Sequence, residues 1–119
     1  MTKQDLGTKG ENLAAQYLAK KGYTILETNW HCRQGEIDIV ARNGETYVFC
    51  EVKTRHSNSV QDALAAITPG KREKFIKAVY YYLNENELDD ILWRIDAIGI
   101  ALPAQGKVMI EHVEDALDW

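Results

Sequence analysis

A chain of 119 residues with 45 % hydrophobic content suffices for one compact domain with one core, and no apolar run approaches the roughly 18 residues of a membrane span. The formal net charge of −4 argues against a uniformly basic nucleic-acid binder. Met1-Thr2-Lys3-Gln4-Asp5 lacks an apolar signal-peptide core, and Cys32 and Cys50 make no disulfide framework, so the expected setting is a reducing cytoplasm without membrane attachment.

In chain order, a first helix is expected from near Gly7–Gly10 to Lys20-Lys21-Gly22. Gly22 supplies a C-terminal stop and the lysines suit the negative end of the helix dipole. Leu13, Ala14, Tyr17, Leu18 and Lys21 follow helical spacing. Glu11 borders that stripe. Two readings stand for it: a first-turn charge favoured by the dipole, or a carboxylate held over the sheet. Tyr23–Glu27 reads as a first strand and Asn29–Gly35 as a connector. His31-Cys32 has no second Cys/His pair at zinc spacing, so zinc is not expected.

Next come two alternating runs around Asn43-Gly44, a hairpin signal. With Asn43-Gly44 as a two-residue turn, Arg42 faces Glu45, Asp38 faces Phe49 and Glu36 faces Glu51. One face then carries Ile37, Ile39, Ala41, Thr46, Val48, Cys50 and Val52, a core face on which Cys50 is a small buried hydrophobe. The other carries Glu36, Asp38, Val40, Tyr47, Phe49, Glu51 and Lys53. Charged edge strands also serve simply to block aggregation. Here, however, like charges gather on one face, which destabilises a sheet and suits a hard divalent cation with oxygen ligands.

Thr54–Ser59 is a polar loop in which His56 is either simply exposed or a phosphate contact. Val60–Ile67 suggests a short helix. Thr68-Pro69 opens a longer one, with Thr as cap and Pro in its first turn. Phe75, Ile76, Val79, Tyr80 and Leu83 form its apolar stripe. Tyr80-Tyr81-Tyr82 reads as core or as a stacking surface. After an acidic break at 84–90, Leu92–Ala101 alternates as a strand. Pro103-Ala104-Gln105-Gly106 turns into a last strand, Lys107–Val113, and Asp115–Trp119 is a tail. The order predicts a single-domain α/β fold with a mixed central sheet flanked by helices.

Charge is unevenly spread. Residues 53–77 hold six basic groups against two acidic ones, whereas residues 78–119 hold two against nine. A basic segment thus begins at the carboxylate cluster; its helix lysines read either as a solvated face or as a place where a phosphate backbone can be held.

Gly10-Glu11, Lys21-Gly22-Tyr23, Asn29, Gly35-Glu36-Ile37-Asp38, Phe49-Cys50-Glu51-Val52-Lys53-Thr54-Arg55, Lys71 and Arg94-Ile95-Asp96 together resemble the YraN family of small bacterial proteins. That family is similar to the restriction-endonuclease-like superfamily, which includes archaeal Holliday-junction resolvases. The superfamily pattern is an acidic residue on the first helix, an Asp on one strand and Asp/Glu-x-Lys on the next. The resemblance therefore implies a restriction-endonuclease-like fold over residues 1–119, with Glu11, Asp38, Glu51 and Lys53 as catalytic residues.

The expectation that follows is a Mg²⁺- or Mn²⁺-dependent endonuclease acting on DNA, structured or branched. Asp38 and Glu51 hold the metal, Glu11 is an outer or additional ligand, and Lys53 orients the attacking water. Arg55, Lys71 and Arg72 contact flanking phosphates. A junction cutter needs two sites and hence a two-fold dimer. The rival expectation, favoured by the acidic balance, is a catalytically inactive nucleic-acid- or protein-binding module with the same fold.

Overall fold

A computed structural model describes residues 2–116, so Leu117–Trp119 of the expected tail lie outside the described residues. The elements are α1 (Lys3–Lys20), β1 (Thr24–Cys32), β2 (Gly35–Asn43), β3 (Thr46–Arg55), α2 (Val60–Leu64), α3 (Pro69–Glu85), β4 (Trp93–Ala101) and β5 (Met109–Val113). They build one five-stranded sheet in the order β1-β2-β3-β4-β5. Only β3 and β4 run parallel; the other neighbours are antiparallel. The parallel pair requires a crossover, and α2 and α3 supply it. Among the described residues no helix is long and apolar enough to cross a membrane.

Helix α1 begins about a turn earlier than its apolar spacing suggests. Thr2 Oγ1 accepts the Asp5 N–H at 3.1 Å and Asp5 Oδ2 accepts the Thr2 N–H at 3.2 Å. This reciprocal cap satisfies amides that would otherwise stay orphaned, so the helix forms before the first apolar contact. Strand β1 runs through most of the expected connector, because Trp30 and His31 pair with Ile37 and Glu36 of β2. Helix α3 starts as expected, with the Thr68 hydroxyl accepting the Lys71 N–H.

The β2–β3 turn differs from its prediction. Asn43 pairs with Thr46, Arg42 with Tyr47, Val40 with Phe49 and Ile39 with Cys50. The two-residue loop is therefore Gly44-Glu45, with Gly44 at φ 64 in the first central position, as a type II′ turn requires. The register moves by two residues, not one, so the paired residues from Ile39 to Asn43 and Thr46 to Cys50 keep their expected faces.

Both faces of the sheet are covered. On the α1 side, Ala14 and Leu18 pack on Ile39, Ala41, Val48, Cys50, Ile98 and Ile100. On the α3 side, Phe75, Ala78, Val79 and Tyr82 pack on Val40, Phe49 and Ile95. Ile37 joins this second cluster rather than the first, which corrects its expected face. Tyr82 is core, while Tyr80 is 59 % exposed and lies edge-on to Trp93.

Strand β5 is fastened through a buried polar knot. Asp96 is fully buried. It accepts from Arg94 Nε at 2.9 Å and from the Asp115 N–H at 3.0 Å, and lies 2.6 Å from His112 Nε2. Arg94 Nη2 also reaches Tyr23 Oη at 2.7 Å and Glu114 at 2.9 Å. Lys21 Nζ lies 3.0 Å from His112 Nδ1. An ammonium only donates, so Nδ1 accepts and Nε2–H faces Asp96, an assignment made from the network. Burial pushes the Asp96 carboxyl up, but His112, Arg94 and the Asp115 amide outweigh it and hold the group below the usual range.

Candidate active site

The site lies where β2 and β3 part. The ladder between them runs from the turn to Ile39↔Cys50. Beyond that point Asp38 Oδ2, rather than a backbone carbonyl, accepts the Val52 N–H at 2.7 Å. Two cavities open at this fork. One, of about 190 Å³ on the α3 side, is lined by Glu36, Asp38, Glu51, Lys53, Lys71 and Lys74 among others. The other, of about 470 Å³ on the α1 side, is lined by Lys3, Glu11, Glu36, Asp38, Lys53 and Arg55 among others. Glu36, Asp38 and Lys53 line both, so they form the crest between two connected basins.

Two backbone features set this geometry. A β-carbon at Gly10 would lie 1.7 Å from Thr54 Oγ1, so only glycine lets α1 rest on β3 there. That contact brings the next residue, Glu11, to the wall of the larger basin. Asn29 is the second. Thr28↔Ile39 and Trp30↔Ile37 leave it opposite Asp38, with its own backbone left-handed at φ 53. Asn tolerates that conformation better than most non-glycine residues. Asn29→Ala should therefore cost roughly 1 kcal/mol in urea unfolding, while Asn29→Gly should be nearly neutral. Equal losses in the two variants would mean that the amide, not the backbone, matters there.

The electrostatics are those of crowded, desolvated carboxylates. Asp38 is pushed up to about 7. Burial is the main cause and the Val52 N–H opposes it; repulsion from Glu11 and Glu36 adds to burial, while Lys53 opposes it. Glu11 is raised by burial and then by Glu36. Glu51 is raised by burial despite the attraction of Lys53, Arg72 and Lys71. Glu51 is only 7 % exposed and lines the smaller cavity. Its oxygens are not sealed from solvent, because no buried side-chain oxygen among the described residues lacks a partner; the carboxylate opens into the cleft toward Lys53 and Lys71.

That donor set fits a hard divalent ion. No group of three or more His, Cys, Asp or Glu side chains among the described residues is arranged to hold a metal by itself. Mg²⁺, however, is commonly held by one or two carboxylates, with water and substrate phosphate completing its shell. Asp38 and Glu51 line one cavity wall together.

The fold thus gathers Glu11, Asp38, Glu51 and Lys53 around one fork, with Arg55 and Lys71 at opposite ends. Arg72 does not join the exposed basic row. It is 5 % exposed, and its guanidinium donates to the Ala116 carbonyl. On α3, position 72 points inward while 71 and 74 are exposed, a distinction that a run of basic residues conceals. Lys74, part of the basic 53–77 segment, and Lys3, which the sequence did not single out, complete the basic lining; Lys74 follows Lys71 on the helix at i+3 spacing. His31 pairs with Glu36 at 3.1 Å, and His56 lines a different cavity.

A family model described as uncharacterised protein family UPF0102 matches residues 10–100, a span that holds Glu11, Asp38, Glu51, Lys53 and Lys71. A UPF0102 protein of Chloroflexus aurantiacus is 46 % identical over 111 residues, which cover 92 % of this chain and 88 % of the relative. One of Streptomyces griseus is 43 % identical over 108 residues, covering 90 % and 91 %. One of Geobacter sulfurreducens is 41 % identical over 113 residues, covering 95 % and 88 %.

Proposed function

The chain belongs to the uncharacterised protein family UPF0102, the family met above as YraN, and we propose that it is a metal-dependent endonuclease of restriction-endonuclease-like type that hydrolyses phosphodiester bonds in DNA, structured or branched. The observation that carries this reading is the cleft itself: Asp38 and Glu51, both raised by burial, share one cavity wall with Lys53 and Lys71.

Asp38 and Glu51 would hold Mg²⁺ or Mn²⁺, with Glu11 as an additional or outer ligand. A bound ion of this kind supplies a water of lowered pKa and neutralises charge on the phosphate. Lys53, on the crest, orients the attacking water and meets the charge that builds on the phosphate oxygens. Lys71 and Lys74 each take a flanking phosphate in one basin, and Lys3 and Arg55 take others in the second.

Asp38 gives the first test. Its folded-state value of about 7 lies above the ordinary carboxylate value of 3.8. The folded protein therefore keeps a proton that the unfolded chain has lost, and this group's contribution to stability falls as pH rises through that window. A metal must displace the same proton, so Mn²⁺ affinity should climb with pH up to about 7 and then flatten. Above that pH, Asp38→Asn should melt higher than wild type without metal and lose the Mn²⁺-induced rise in Tm. A wild-type Tm indifferent to millimolar Mn²⁺ in that range would overturn the metal site. Nicking of branched, flapped and linear DNA with Mn²⁺ present tests the activity directly.

The basic lining gives the second. Lys71→Ala/Lys74→Ala should weaken DNA binding regardless of sequence and reduce the salt slope by about 2, one unit per phosphate contact. An unchanged slope would move the interface off this cavity.

A further inference from the structure

A third cavity, of about 270 Å³, adjoins the larger basin and shares Gly7, Glu11 and Glu36 with it. Its remaining lining is Gln4, Thr8, Asn29 and His31. The three spaces differ in charge. Both basins contain Lys or Arg side chains, whereas this lining contains neither among the described residues. It holds two carboxylates, two carboxamides, a hydroxyl and an imidazole, the last engaged with Glu36 at 3.1 Å.

We infer that this cavity is a pocket for one unpaired nucleobase of the strand whose phosphates lie in the basins. The inference rests on the endonuclease reading. A phosphate seeks cations, which both basins contain and this pocket lacks, so the backbone stays in the basins. A base edge seeks what this pocket offers: amides that donate and accept, and carboxylates that accept from exocyclic amino groups. The volume is several times the roughly 30 Å³ of a water, room for a heterocycle. Asn29 connects pocket and chemistry, because it lines the cavity and stands opposite Asp38 in the β1–β2 ladder. With two carboxylates in the wall, the pocket favours adenine, cytosine or guanine, which carry amino groups, over thymine.

The test walks one abasic position along a short fluorescent single-stranded DNA and measures binding by anisotropy. Ca²⁺ replaces Mn²⁺ to supply an oxygen-liganded cation. Wild type should lose about tenfold in affinity at one position and little elsewhere, as for the loss of one well-bonded base. Thymine at that position should weaken binding relative to cytosine. Asn29→Gly, which keeps the left-handed backbone, and Gln4→Ala/Thr8→Val, both at exposed helix positions, should flatten the walk and leave the salt slope unchanged. A flat walk on a strand that wild type binds overturns the pocket and leaves the endonuclease reading standing. Absence of binding to any DNA overturns both.

Discussion

Lys53→Ala should lower the rate of DNA cleavage by roughly 10² or more, the scale for removing one preorganised charge from a reacting centre. The side chain lines both basins, so it stands where a phosphate crossing the fork must pass. A protonated lysine has no lone pair for a metal. Its loss should therefore leave Mn²⁺ affinity intact or improved, because it also removes a repelling cation beside Asp38 and Glu51. Glu51→Gln should abolish both cleavage and the Mn²⁺-induced rise in Tm. The contrast between the two variants separates chemistry from ion binding. Wild-type cleavage by a Lys53→Ala preparation shown free of contaminating nuclease would remove the role given to this residue.

Asp96→Ala should cost about 3–5 kcal/mol of folding stability in urea or guanidinium unfolding, the scale for breaking a buried ion pair by deleting one partner. Asp96 is fully buried and bonds Arg94, His112 and the Asp115 amide at once. Without it the Arg94 guanidinium keeps Glu114 and Tyr23, and His112 loses its acceptor. The pH dependence has a definite sign. The folded-state value is held below the ordinary one, so this carboxylate's contribution is present above the unfolded value near 3.9 and disappears as pH falls through the folded one. Wild type should therefore destabilise on acidification more steeply than the variant. The effect should also reach the cleft: Asp96 fixes Asp115, the neighbouring Ala116 carbonyl accepts from Arg72, and Arg72 is one of the cations that face Glu51. A loss under about 1 kcal/mol would place the knot among ordinary surface ion pairs.

Neither result depends on a feature equally visible in the sequence. Lys53 is legible there. Side chains alternate along a strand, so Glu51 and Lys53 share a face whatever the register, and Asp38 joins them for any odd-numbered pairing sum. The expected turn at Asn43-Gly44 and the observed loop at Gly44-Glu45 differ by two residues, so the parity of the paired residues survived a misplaced turn. Asp96 was visible only as part of the family-like Arg94-Ile95-Asp96 run. Its partners Tyr23, His112 and Asp115 are brought to it by strand pairing and by a bend after β5, neither of which leaves a local pattern.

The amino-acid order by itself determined the period of each element, the cap at Thr68, the burial of Cys50 and the placing of Glu51 and Lys53 on one side of β3, because all of these follow from short-range geometry. Tertiary structure alone decided the rest. It placed α1 on β3 through Gly10 and so carried Glu11 to the fork. It drew Arg72 inward toward Ala116 while leaving Lys71 and Lys74 exposed. It moved Ile37 to the α3 face and set left-handed Asn29 opposite Asp38. These are contacts between segments distant in sequence, fixed by which helix covers which face of the sheet, and no periodicity within one segment encodes them.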